Sequence, residues 1–292
     1  MPRGLSLIEL VVVLAVLGVL AALVLGAVQR VRATAARAAC GNNVRQLALA
    51  VQQYDAAHGA LPQGCGYPYT RPLVGYDRQA GLSWHTAVLP YLEQDALWAE
   101  ADAAFRANPL GDDFVTHGRV GWHVVRVFLC PTEHRERMAH MEYGLTSYRG
   151  VAGTGVPRND GVMHPGLRVR LPDVTDGTSN TVMIGEQPPG RDGQSGSWYG
   201  NWGATCCWAA QVFPAGILAR AVYGSGCDLA TPSLAAGSPD DDCSSNHFWS
   251  LHPGGATFAF CDGSVRFLRY SAAAVLPDLA TRAGGEAVAA PD

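Results

Sequence analysis

The chain predicts an α+β protein, one long N-terminal helix followed by a head with an antiparallel β-sheet and long loops. Three observations predict it. Residues Leu10 to Val28 form 19 consecutive uncharged, almost wholly apolar positions. Beyond them, apolar residues recur at helical spacing as far as Tyr54. From residue 60 onward, short apolar runs alternate with turn residues, and 34 Gly and 18 Pro favour turns and loops over a helical bundle. Apolar residues make up 48% of the 292 and charged residues only 16%. That balance excludes a disordered chain and lets a sizeable core be buried. The 21 basic residues are all Arg, and the net charge of −4 argues against a nucleic-acid binder.

The first element is the helix. As an α-helix, Leu10–Val28 is about 28 Å long, enough to cross a bilayer core. Val44, Leu47, Ala48, Val51 and Tyr54 then follow the i, i+3, i+4, i+7, i+10 spacing of one buried face. Gly59 and Pro62 stop the pattern. A helix from Leu5 to about His58 is therefore expected, roughly 80 Å long. Its first half is a membrane span and its second half is amphipathic.

The head, residues 60–292, follows. Ser83 to Trp98 reads as helical with an interruption at Pro90. Trp122 to Cys130, rich in Val and ended by Pro131, reads as a buried strand. Thr181 to Glu186 is a second short strand. Residues 187–245 form a loop-rich region. Two strand-like runs, Ala256–Cys261 and Ser264–Tyr270, flank Asp262-Gly263. That dipeptide suits a two-residue type I′ hairpin turn.

The span is too long for the core of a secretory signal peptide, and Ala33-Thr34-Ala35 lies beyond Arg30 and Arg32. Glu9 sits just ahead of it. A carboxylate in a membrane costs on the order of 3 kcal/mol at the centre and less near an interface, so it marks a functional position. Arg3-Gly4-Leu5-Ser6-Leu7-Ile8-Glu9-Leu10 resembles the processing site of type IV prepilins and type II secretion pseudopilins. The resemblance implies a four-residue leader (1–4), cleavage between Gly4 and Leu5 by prepilin peptidase, and methylation of the new N-terminus. It also implies that Glu9, at the fifth mature position, aligns the subunit with the amine of a neighbour. This chain departs from most relatives in having Leu5 where they have Phe and Gly26 where many have Pro. Arg30, Arg32, Arg37 and Arg45 outnumber Arg3, so charge counting alone puts the head in the cytoplasm. The resemblance puts it in the periplasm or at the cell surface, and that orientation is the one adopted.

A second resemblance covers nearly the whole chain. His252-Pro253-Gly254-Gly255 followed by Asp262-Gly263 is similar to the H-x9-D-G signature of a bacterial family of prepilin-like proteins whose head is a domain of unknown function (domain of unknown function 1559). Cys40-Gly41-Asn42-Asn43, Leu89-Pro90-Tyr91-Leu92-Glu93, Phe128-Leu129-Cys130-Pro131, Asp176-Gly177-Thr178-Ser179-Asn180 and Ala280-Thr281-Arg282-Ala283-Gly284-Gly285-Glu286 match as well.

The candidate sites divide into structural and chemical readings. His252 and Asp262 are read as the start and the turn of the hairpin rather than as a general base with its carboxylate, because no nucleophile motif accompanies them. Asp176, Gly177 and Asn180 are read as turn formers. The His residues have no metal-ligand spacing, and no metal or other cofactor is expected. Asp240, Asp241 and Asp242 are weak calcium candidates, with a solvated acidic loop as the competing reading. Cys227 with Cys243 is the first candidate disulfide and Cys40 with Cys130 the second. Trp198, Tyr199, Trp202 and Trp208 are mostly core by default, with a loop-borne binding face as the alternative.

The function expected is structural rather than enzymatic: a single-pass inner-membrane pseudopilin-like subunit of a type II secretion pseudopilus or type IV pilus-like filament. Its expected partners are prepilin peptidase, other pilin or pseudopilin subunits and inner-membrane lipid. The alternatives are a monomeric surface-anchored binding protein that uses the helix for export, and an envelope enzyme.

Overall fold

The computed structural model describes residues 6–64, 83–107, 119–137, 142–154, 160–163, 168–190, 196–199, 211–212 and 233–286. The chain divides into two units, Met1–Ala39 and Cys40–Asp292. The 52-residue helix α1 (Leu7–His58) supplies most of the first and the opening element of the second.

In the first unit the large apolar side chains from Leu7 to Val31 are exposed, and no residue of the membrane-length window is buried. An apolar surface of this extent is unstable in water and calls for another solvent. The helix starts with a capping box. The Ser6 N–H donates to Glu9 Oε2 (2.8 Å), and the Glu9 N–H donates to Ser6 Oγ (3.3 Å). These reciprocal bonds satisfy two of the donors that a helix start leaves open. Gly59 ends α1 in the left-handed region (φ +70°), its N–H donating to Asp55 O at 2.7 Å.

In the second unit α1 buries Cys40, Val44, Leu47, Ala48, Ala50, Val51 and Tyr54. Full burial of Leu47 or Val51 is worth roughly 2–3 kcal/mol each. Next come α2 (Trp84–Val88), capped by Ser83, a 3-10 turn at Leu89–Leu92 that contains Pro90, and α3 (Asp95–Ala107). Glu93 takes the left-handed conformation between the turn and α3. α3 thus extends well past the predicted end at Trp98, burying Leu97, Ala101 and Phe105 at i, i+4 and i+8.

Among the described residues the sheet has five strands: β1 (Tyr148–Val151), β2 (Val182–Glu186), β3 (Gln211–Val212), β4 (Gly255–Phe260) and β5 (Val265–Arg269). Their order is β3-β1-β2-β4-β5. The last four form an antiparallel sheet, and the two-residue β3 joins β1 in parallel. Apolar clusters cover both faces. One gathers the buried face of α1 with Met183, Ala259 and Cys261; the other gathers Phe248, Phe258, Phe260 and Leu268 with the short C-terminal helix α4 (Leu276–Leu279). β4 is buried at every position because its alternate side chains feed both clusters.

Two expectations fail here. Residues 122–130 are not a strand. They form 3-10 turns at Val120–Trp122 and Arg126–Phe128, closed by Trp122 N–H to Arg119 O and Phe128 N–H to Val125 O, both 2.9 Å. Their contacts to the sheet region are single bonds, such as Ser147 N–H to Phe128 O, rather than a ladder. The Val residues reported a half-buried environment, which is what β-propensity measures.

The hairpin itself forms, but its turn is not a two-residue type I′. The Gly263 N–H donates to Phe260 O (2.9 Å), and the Phe260 N–H to Ser264 O (2.9 Å). Cys261, Asp262 and Gly263 therefore make a three-residue loop in which Gly263 alone has positive φ (+82°). A Cβ on Gly263 would also lie 2.7 Å from Gln52 Nε2. Gly263→Val is expected to lower stability by about 1–3 kcal/mol, read by a urea melt. Asp262→Asn is expected to stay close to wild type, since its Oδ1 can still accept the Ser264 N–H (2.8 Å). A larger loss in Asp262→Asn than in Gly263→Val would show that the carboxylate charge matters more than the turn.

Candidate functional site

Two regions carry chemistry. The first is the N-terminal segment. Gly4 and Leu5 lie outside the described residues. Glu9 sits in the first turn of α1, where the sequence pattern Ser6-x-x-Glu9 gives it a local task, helix capping, that had not been read from its position before the span.

The second region is a buried centre in the head where several quoted motifs converge. Cys40, on α1, is disulfide-bonded to Cys130, with their Cα atoms 4.9 Å apart. Asn43, one turn further along α1, donates from Nδ2 to Leu129 O at 2.7 Å, and the Tyr148 hydroxyl donates to Cys40 O at 3.4 Å. The Cys130 N–H donates to Ser147 Oγ. His252 enters from the loop before β4, its Nε2 lying 3.4 Å from Cys130 Sγ. That loop is pinned by Ser250 Oγ, which accepts the His252 N–H (3.0 Å) and donates to Gly255 O (2.7 Å). Glu186, the last residue of β2, places Oε1 3.7 Å from His252 Nε2. Its Oε2 accepts the Thr257 N–H at 3.1 Å.

The side chains of Glu186 and His252 are 0% and 3% exposed. At that depth a carboxylate is poorly solvated. Burial pushes the Glu186 carboxyl up to about 7, against the opposing pull of the Thr257 hydrogen bonds. Burial, with the Glu186 charge adding to it, also pushes the Tyr148 phenol well up. Among the described residues, Cys40, Cys130, Glu186 and His252 are the one group of three or more metal-ligating side chains.

His252 is thus more than the start of the hairpin. Nor do His252 and Asp262 meet. β4 runs between them, roughly 20 Å of extended chain, and Asp262 spends its carboxylate on the Ser264 N–H. Asp176 likewise exceeds its predicted turn role. Its carboxylate accepts the N–H groups of Gly284 (2.7 Å) and Gly285 (2.9 Å), joining the Asp176-Gly177 and Gly284-Gly285 motifs across the fold. Gly177 (φ +99°) makes the local turn with Asn180, whose N–H donates to Gly177 O at 2.9 Å.

Asp241 caps a 3-10 turn, accepting the Cys243 N–H (3.0 Å) and the Ser244 hydroxyl (3.3 Å), while Asp240 is exposed. The side chain of Asp242 is not described. Cys243 is disulfide-bonded, and its candidate partner Cys227 lies outside the described residues. Trp198 and Tyr199 are buried in the core rather than displayed on a binding face. Trp202 and Trp208 lie outside the described residues.

A family model described as protein of unknown function (DUF1559) matches residues 29–274, and one described as prokaryotic N-terminal methylation motif matches residues 2–25. No curated protein and no solved structure matches the chain. The methylation motif makes this a prepilin-processed protein of the type IV pilin or pseudopilin kind, with an N-terminal helix long and apolar enough to anchor it in a membrane. Since the longer match takes in most of the chain, including the strands and loops that build the Cys40–Cys130, Glu186 and His252 centre, the chain belongs to the DUF1559 family.

Proposed function

We propose that the protein is a structural subunit of a type II secretion pseudopilus or type IV pilus-like filament, with its head outside the cytoplasm. The observation that carries the reading is the exposed apolar surface of α1 from Leu7 to Val31 with a single carboxylate, Glu9, in its first turn. Lipid covers such a surface before assembly, and neighbouring copies of the same helix cover it afterwards. The Cys40–Cys130 disulfide supports an oxidising compartment for the head, against the simple Arg count.

Cleavage after Gly4 creates an amine at Leu5, about 6 Å along the helix from Glu9. The capping bond to the Ser6 N–H uses one part of the Glu9 carboxylate, which has about four acceptor sites in all. The remainder is free to receive a neighbour's amine. Two opposite charges in a medium of low dielectric are less costly paired than alone.

Glu9→Gln separates the two roles, because Gln at this position also completes a capping box. The variant is expected to be cleaved and inserted normally and to enter sheared filaments about tenfold less, or worse, than wild type. N-terminal mass spectrometry of both proteins should give a chain that starts at Leu5. Cysteines placed along residues 10–30 should crosslink into ladders in cells. Normal incorporation of the variant, with crosslinking that yields monomer alone, would favour the surface-anchored binding protein instead.

A further inference from the structure

We propose that the dithiol form of the head binds one zinc-type divalent ion through Cys40, Cys130, His252 and Glu186, so that the ion and the Cys40–Cys130 disulfide are alternative occupants of one centre. The four ligand atoms lie within 4.8 Å of one another. Cys130 Sγ to His252 Nε2 is 3.4 Å and His252 Nε2 to Glu186 Oε1 is 3.7 Å. A tetrahedral ion with bonds of about 2.0–2.3 Å spaces its ligand atoms about 3.3–3.8 Å apart. The His252 nitrogen is therefore already at about the separation such an ion requires from one sulfur and from the carboxylate oxygen. Reduction also lets the two bonded sulfurs part, and a change of side-chain rotamer supplies that movement.

A second observation points to a ligand. Glu186 Oε1 is buried and has no hydrogen-bond partner among the described residues, although it faces His252. An unsatisfied buried oxygen is costly, and a cation satisfies it. The supporting contacts are those of a built site. Thr257 holds the other Glu186 oxygen, Ser250 holds the His252 loop, and Ser147 and Asn43 hold the Cys130 segment. Two thiolates and an imidazole select zinc over calcium or magnesium, which require oxygen shells. Four protein ligands leave no open position, so the ion would be structural rather than catalytic. The centre is closed to solvent, and the ion is captured as the head folds.

The two states interconvert with a balanced exchange. A dithiol donor gives two electrons and two protons to the Cys40–Cys130 bond and itself becomes a disulfide. The ion then displaces both thiol protons to solvent. A disulfide oxidant reverses the exchange, taking the two electrons as two thiolates while the ion leaves. None of this depends on filament assembly.

The test uses the full-length chain, reduced with a phosphine in denaturant and refolded into detergent with or without zinc, with oxidant excluded. Native mass spectrometry counts the metal, and near-ultraviolet circular dichroism from the buried Trp residues reports folding. One zinc per reduced chain and none at this centre in the oxidised chain is the expected result. Cobalt(II) in place of zinc should give tetrahedral ligand-field bands with thiolate charge transfer. His252→Gln and Glu186→Gln should each weaken cobalt binding roughly tenfold or more. The chain has 8 Cys in total, so the double variant Cys40→Ser, Cys130→Ser controls for the other six. An undiminished zinc count in that double variant would overturn the proposal. A reduced wild-type chain that folds without taking up zinc would overturn it too, as would one that zinc cannot help to fold under conditions where the oxidised chain folds.

Discussion

Cys40→Ala combined with Cys130→Ala is expected to lower the stability of the oxidised, metal-free head by about 4–5 kcal/mol. The two residues are 90 apart in sequence, and a cross-link closing a loop of that length removes a large share of the unfolded chain's conformational freedom. A domain's whole stability is only about 5–15 kcal/mol, so the variant should sit near the edge of folding at ordinary temperature. A urea melt of the full chain in detergent, followed by fluorescence of the buried Trp84, Trp198 and Trp249, should show a much lower midpoint. The slope of the transition should rise, because the unfolded chain without its cross-link exposes more surface. A loss below about 1 kcal/mol would mean that the unfolded chain is already compact between these two residues.

Glu186 should give the head a stability that declines with pH. Its folded-state value of about 7 lies above the ordinary 4.5. Between those two values the folded state holds more protons than the unfolded one, so stability falls as pH rises. The contribution is fully present below about pH 4.5 and is lost as pH rises through about 7, a change on the order of 3 kcal/mol. For a head of this size that corresponds to roughly 10 °C in the melting midpoint. The groups around the carboxyl are His252, Tyr148 and Tyr270, with the Thr257 N–H on Oε2. Melts from pH 5 to pH 8 should show the decline in wild type and a flatter profile in Glu186→Gln, which carries no titrating proton. Equal slopes in the two proteins would place the proton elsewhere.

How much of this was legible beforehand depends on the reach of each signal. α1 was legible in full because its periodicity, its apolar run and its Gly59 stop are all local. The β4–β5 hairpin was legible for the same reason. Its turn was misread because Asp-Gly also fits a three-residue loop, and the choice between the two rests on where Phe260 and Ser264 pair. β1 escaped notice because four residues with Gly150 among them carry no pattern. The buried centre was only half visible. His252, Cys40 and Cys130 stood out within short motifs, but Glu186 looked like the end of an apolar strand. Its partners lie far away along the chain, and no spacing rule brings together ligands from four separate segments. Asp176 stands in its turn as expected, but its carboxylate reaches further than an Asx turn implies, to amides more than a hundred residues later.

The contacts at the C-terminus bear on where the head can be cut. The family match stops at residue 274, but the fold does not. Leu276, Leu279 and Ala280 are part of the apolar cluster that covers one face of the sheet. Arg282 O accepts the Asp176 N–H, and Arg282 itself donates to Asp160 O and Gly161 O. Trimming to the match would therefore strip Phe258 and Phe260 of their cover and leave the Asp176 carboxylate without its two amides. The head therefore has to keep residues 276–286, and an expression boundary drawn at 274 would yield a protein that aggregates for reasons unrelated to its membrane span.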